Sequence, residues 1–130
     1  VYFLGITPAL NTWRKALRGG GCIAFTEPCW FTDTPSAQAQ ANWAEYPAMT
    51  DAAGIAAQVQ AAGYEVLGTR RLSDAAWEDY YTPIDHRIAT LRAEADASLS
   101  TVLQEAEAEA ATWRAHREEF GYLLSVVRPA

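Results

Sequence analysis

The chain has no G-x-G-x-G anywhere in its 130 residues, no G-x-S-x-G, only two histidines and two cysteines, and ten basic residues against sixteen acidic ones. Each shortage excludes something. Without a glycine-rich turn leading from a strand into a helix there is no loop to cradle a phosphate or a nucleotide. Gly19, Gly20 and Gly21 do not replace it, because they follow a helix-like segment and precede a strand-like one, the reverse of the required order. Lack of G-x-S-x-G removes the nucleophile elbow of hydrolases. His86 and His116 are far apart and neither has a second histidine four residues on, so no zinc motif is expected. A net charge of −6 with scattered lysines and arginines leaves no electrostatic footprint for nucleic acid. No apolar run approaches the roughly 20 residues that span a bilayer, and the first residues show no signal-peptide pattern. Cys22 at the start of a strand and Cys29 beyond its end would stand too far apart for a disulfide. Reduced, buried thiols and a cytoplasmic location are expected, with no metal, nucleic acid or membrane as partner.

What remains is the composition of a folded α/β domain. Half of the residues are hydrophobic, and the length makes one domain with room for a core. Residues 11–28, NTWRKALRGGGCIAFTEP, are the most telling. Trp13, Ala16 and Leu17 give a short helix one apolar face, while Arg14, Lys15 and Arg18 face water or the helix C-terminus. The glycines at 19–21 supply the left-handed turn that stops it. Residues 22–25 read as the core of a strand, and Glu27 stands at its carboxyl end, where α/β folds meet their ligands.

Further on, Thr34 or Ser36 can cap a helix over 37–45, which Pro47 ends. Thr50 and Asp51 open another, with Ile55, Ala56, Val59 and Ala62 on one side and Gly63 at its close. A strand over 64–72 follows, in which Val66 and Leu67 read as buried. Ser73 and Asp74 begin a helix carrying Trp77, Tyr80 and Tyr81, and Pro83 is expected to kink or break it. Ile88, Leu91, Ala95, Leu99, Val102, Ala106, Ala110 and Trp113 recur at three- and four-residue steps and predict one long helix from 84 to about 120. Within it, the glutamates at 105, 107 and 109 spread over different faces and read as solvated surface. A strand over 122–127 brings the total to three.

The pattern W-R-K-x-L-x-x-G-G before an apolar strand is met by Trp13, Arg14, Lys15, Leu17, Gly20 and Gly21, and Glu27, Trp30 and Phe31 continue it. It resembles the second half of the class I S-adenosylmethionine-dependent methyltransferases that act on small molecules. Trp77 and Tyr81 likewise resemble a W-x-x-x-Y segment that follows the sixth strand in one branch of that family. The resemblance implies an α/β fold, the C-terminal half of a Rossmann-like methyltransferase sheet: three strands, the last inserted antiparallel between the other two, with a long helical excursion. It implies that 1–130 is a C-terminal fragment whose cofactor-binding N-terminal half is absent, so that only the full-length protein would use S-adenosylmethionine. Val1 and Tyr2 would approach that cofactor, and Glu27, Trp30, Phe31, Trp77, Tyr80 and Tyr81 would face a small-molecule substrate. The fragment alone is expected to be inactive.

The residue types suit that chemistry. Methyl transfer from a sulfonium is an in-line displacement that needs positioning and exclusion of water more than acid–base groups. Glu27 could act as a base or a polar anchor, or be a plain surface or capping carboxylate. Trp30 and Phe31 could roof the pocket, since aromatic faces attract a sulfonium charge, or could simply pack under a loop. Trp77, Tyr80 and Tyr81 share a helix face that could line a pocket or wall a core. Asp85 and His86 point apart on a helix and make no relay. No residue is assigned as catalytic. With the fourth strand of that sheet absent, the strand from Cys22 to Thr26 has an unpaired edge, and the isolated fragment is expected to self-associate through it. A different class stays open: a noncatalytic α/β interaction or oligomerisation module.

Overall fold

In the computed structural model, residue 1 and residues 3–130 are described; Tyr2, expected near the cofactor, lies outside them. Four strands form one mixed sheet in the order β2, β1, β4, β3. β1 (Ile23–Trp30) and β3 (Tyr64–Arg71) both run antiparallel to β4 (Phe120–Pro129), which lies between them as the resemblance implies. The count of three strands is corrected by β2 (Thr50–Asp51), a two-residue segment parallel to the end of β1. On that side β1 is paired only at Cys29 and Trp30, so among the described residues its edge is open over 23–28.

Alternation along β4 separates two cores. Leu123 and Val127 join Phe25, Cys29, Ile55, Val59 and Tyr64 on one face, under α1 (Ile6–Trp13) and α3 (Ala52–Ala61). Phe120 joins Ala39, Trp77, Tyr81, Ala110 and Trp113 on the other, under α2 (Ala37–Asn42), α4 (Asp74–Leu91) and α5 (Ala97–His116). The second core is dominated by aromatics: Trp77 stacks on Trp113 at 5.1 Å, on Tyr122 at 5.2 Å and on Tyr81 at 5.8 Å.

Local chemistry sets most element starts. Ser36, Ser73, Asp51 and Asp96 each accept a hydrogen bond from the backbone N–H three residues on, which satisfies a donor the first turn leaves over. Gly63 ends the helix before β3 at φ 75°, a conformation that favours glycine.

Several boundaries differ from expectation. α1 begins at Ile6 and buries Ile6, Ala9 and Leu10, whereas 14–16 form only a 3-10 turn with Ala16 exposed. β1 does not stop before Glu27 but continues to Trp30, through Pro28, which costs little because a proline forfeits one donor and β1 is an edge strand there. Glu27 is therefore mid-strand, and Cys29 lies inside the strand, not beyond it. Cys22 is exposed and Cys29 buried, both free, so the expectation of two buried thiols holds for one. α2 ends at Asn42, short of Pro47.

Leu67 is 48 % exposed because a register shift between Val66 and Gly68 throws it out of the ladder. Pro83 neither breaks nor ends α4, which runs on to Leu91. The expected single long helix is two, interrupted by a 3-10 turn at Arg92–Glu94 and restarted by the Asp96 cap.

Candidate functional site

A cleft of about 970 Å³ opens on the aromatic face of the sheet. Its floor is Phe120 and Tyr122 of β4 with Thr26 of β1; its walls are Trp43, Glu45 and Tyr46 after α2, Trp77, Tyr80 and Tyr81 of α4, and Glu105, Glu109 and Thr112 of α5. Tyr81 is held by its own hydrogen bond, the phenol donating to Glu109 Oε1 at 3.0 Å. Burial and that carboxylate push the Tyr81 hydroxyl far above its ordinary pKa, so it remains a neutral donor. Tyr80 stands over it edge-on at 5.1 Å and is 59 % exposed.

Glu27 does not line this cleft: it shares the opposite face of the sheet with Phe25, Cys29 and Leu123, and the cleft residue Tyr46 reaches it, its hydroxyl donating to Glu27 Oε1. Only 5 % of Glu27 is exposed, and among the described residues its Oε2 has no hydrogen-bond partner. Burial raises its pKa, while the Tyr46 hydrogen bond and the positive Val1 amino group pull the other way. The Trp43 Nε1 donor is likewise buried without a partner. Such groups cost stability in a finished core, and of the two only the Trp43 donor belongs to a residue that lines the cleft.

A Ser–His–Glu cluster lies elsewhere and does not form a catalytic triad. His116 Nδ1 approaches both Ser36 Oγ at 3.2 Å and Glu119 Oε1 at 2.8 Å, whereas a triad needs the serine and the acid on opposite ring nitrogens. His116 Nε2 meets Gln38 Oε1 at 3.1 Å, and the Ser36 N–H donates to Glu119 Oε2 at 2.6 Å. The cluster ties the start of α2 to the end of α5. The Ser36 and His116 hydrogen bonds hold the Glu119 carboxyl below its ordinary range.

No family model matches the chain, and no curated protein sequence does. Solved structures do. A SAM-dependent methyltransferase from Geobacter sulfurreducens, in complex with S-adenosyl-L-homocysteine, matches 97 % of this chain and 53 % of its own, with a TM-score of 0.74 and 17 % identity. One from Thiobacillus denitrificans, in the same complex, matches the same shares at 17 % identity with a TM-score of 0.73. YjhP from E. coli matches 85 % of this chain and 50 % of its own, at 18 % identity and a TM-score of 0.61. This is a methyltransferase fold. The chain spans about half the length of the structures it matches.

Within the methyltransferase fold, Trp77, Tyr80 and Tyr81 all line the cleft, whereas Glu27 does not and touches only its residue Tyr46. Trp30 and Phe31 do not roof it. Trp30 packs edge-to-face on Phe120 at 6.2 Å, and Phe31 sits toward the other core with the Arg71 guanidinium 3.9 Å over its ring. Val1 packs against that same core. Asp85 pairs with Arg114 at 2.8 Å and leaves its neighbour His86 alone.

Sequence reasoning missed Trp43, Tyr46, Glu105 and Glu109. For the glutamates the signal was present: residues four apart share a helix face, and only Glu107 points elsewhere, to Arg92. For Trp43 and Tyr46 there was none, since both lie beyond the end of α2.

The residues present do not fit an S-adenosylmethionine cradle of their own. Among the described residues no strand runs through a glycine-rich turn into a helix: β1 leads into α2 through 31–36, β2 passes directly into α3, and β3 reaches α4 through Leu72 and Ser73.

Proposed function

We propose that this chain is the carboxyl-terminal, substrate-side portion of an S-adenosylmethionine-dependent methyltransferase acting on a small molecule. The observation that carries the reading is the antiparallel β4 set between β1 and β3, in a sheet whose match to methyltransferases extends over 97 % of the chain. In this reading the cofactor is held by sequence outside these residues, with Val1 and Tyr2 approaching it, and the isolated chain transfers no methyl group. The chain's own part is to seat the acceptor. Trp77, Tyr80 and Tyr81 exclude water from one side of the cleft, and the Tyr81 phenol, its proton held by Glu109, offers a fixed acceptor.

Titration calorimetry with S-adenosyl-L-homocysteine tests this. The product of the complete open reading frame that encodes the chain should bind it, and the 130-residue chain should not. Heat from neither removes the reading.

The open edge of β1 favours a second reading, an oligomerisation module. Unpaired N–H and C=O groups over 23–28 form a template for another strand. Light scattering at high concentration should then show self-association, and a monodisperse monomer would end that reading.

A further inference from the structure

Three hydroxyl donors in the cleft lining are spent, and one N–H is not. Tyr46 donates to Glu27, Tyr81 to Glu109 Oε1 at 3.0 Å and Thr112 to the Ala108 carbonyl at 2.7 Å. Trp43 Nε1, by contrast, is buried and has no hydrogen-bond partner among the described residues. An N–H kept from water and left unpaired costs stability that an acceptor carried by a guest restores. Trp43 as a whole is half-buried and sits on the irregular stretch 43–49 between α2 and β2, so turning its ring disturbs no helix or strand. It stands edge-on to both floor rings, 5.7 Å from Phe120 and 6.3 Å from Tyr122.

Ring surface and charge narrow the guest further. Trp77, Tyr81 and Phe120 are closed off by neighbouring rings, whereas Tyr80 is exposed and Trp43 and Tyr122 are half-buried, which leaves three ring surfaces for a flat guest. Glu45, Glu105 and Glu109 are exposed in the lining with no lysine, arginine or histidine among them. They repel an anion, and because they keep their water they demand no cation.

We propose that the cleft binds an uncharged planar aromatic molecule bearing a hydrogen-bond acceptor, an aromatic ketone being the simplest case, with its ring against Trp43, Tyr80 and Tyr122 and its oxygen accepting from Trp43 Nε1. Calling this molecule the methyl acceptor rests on the methyltransferase reading; its binding does not. An aromatic hydrocarbon of the same shape keeps the ring contacts and leaves the Trp43 donor unpaired. A saturated ketone keeps the acceptor and loses the flat face, and an aromatic carboxylate meets three like charges.

Heteronuclear NMR of the isotope-labelled 130-residue chain tests the proposal. Five tryptophans give five indole N–H signals, and the one lost in Trp43→Phe is that of Trp43. The probes are acetophenone, ethylbenzene, cyclohexyl methyl ketone and benzoate. Acetophenone should move the Trp43 signal downfield and bind about fivefold more tightly than ethylbenzene, which has the ring without the oxygen. Cyclohexyl methyl ketone should bind severalfold more weakly than acetophenone, and benzoate should move nothing. Trp43→Phe keeps an aromatic wall and removes the donor, so acetophenone, followed on the remaining indoles, should fall to the affinity of ethylbenzene with circular dichroism unaltered. Tyr80→Ala, at an exposed position outside the core, should weaken both aromatic probes severalfold. Equal affinity for acetophenone and ethylbenzene, an unmoved Trp43 signal, a preference that survives Trp43→Phe, or no binding of any probe would each overturn the proposal. Acetophenone binding that depends on Trp43, without S-adenosyl-L-homocysteine binding by the complete reading-frame product, removes the methyltransferase reading and leaves this site standing. The reverse pair of results removes the site and leaves that reading.

Discussion

Glu27 gives a test in which two substitutions at one hydrogen bond change stability in opposite directions. The carboxylate is buried, its one hydrogen-bond partner among the described residues is the Tyr46 hydroxyl, and its pKa is raised by burial. Tyr46→Phe removes the donor and leaves the buried acceptor with nothing, a loss of about 1 to 3 kcal/mol. At this chain length that is a fall in Tm of roughly 4 to 12 °C. Glu27→Gln keeps an acceptor for Tyr46 and abolishes the charge. Because the folded carboxyl titrates above its ordinary value of 4.5, the folded chain retains a proton that the unfolded chain has already released. Stability from this group is therefore full below 4.5 and falls as the pH rises through the folded value. The glutamine variant lacks that fall, so its advantage over the parent should be near zero at pH 4 and should grow toward pH 7. Urea denaturation of the parent and both variants at pH 4, 5, 6 and 7 reads the effect. Parallel pH profiles for the parent and Glu27→Gln, or a Tyr46→Phe variant as stable as the parent, would refute the reasoning.

Gly54→Ala should destabilise the chain although alanine is the better helix former by about 1 kcal/mol. The new Cβ would lie 2.9 Å from the Thr50 Cβ, a backbone-anchored atom, and overpacking of that kind costs about 1 to 3 kcal/mol; a thermal melt that rises would contradict this. Pro83→Ala should raise stability by up to about 3 kcal/mol, since Pro83 is exposed within α4 and removes one of its hydrogen bonds, with an unchanged melting curve as the contrary result. In native conditions at pH 8 a thiol reagent should modify Cys22 alone, because Cys29 is fully buried and its thiol is pushed up to about 11 by burial; in urea both should react.

Capping chemistry is local, and it was readable. Ser36 and Ser73 begin helices because a hydroxyl oxygen reaches the backbone N–H three residues on, at 3.2 and 3.3 Å, and sequence neighbours suffice to show it. Periodicity also located the stripe that ends in Ala110 and Trp113, both buried. It did not locate the break before α5, where the Asp96 carboxylate accepts from the Leu99 N–H at 2.8 Å, because an apolar stripe that continues across a short turn looks like one helix. Leu67 was misread because its exposure is decided by the register with β4, which is long-range. Of the site, the aromatic trio on α4 was legible from its spacing. The partner of Glu27 was not, since Tyr46 reaches it from an irregular segment whose path only the tertiary fold defines. Phe31 does not roof the cleft because β1 runs on to Trp30, and the residue that follows it packs against the core on the other face.

The central claim is that these residues seat the acceptor for methyl transfer. Its most direct test is transfer of a labelled methyl group from S-adenosylmethionine to small acceptor molecules by the product of the complete reading frame, beside the 130-residue chain alone. The account predicts labelled product from the longer polypeptide, reduced by Tyr80→Ala, and none from the chain by itself. A longer polypeptide that neither binds S-adenosylmethionine nor methylates any small acceptor would contradict it.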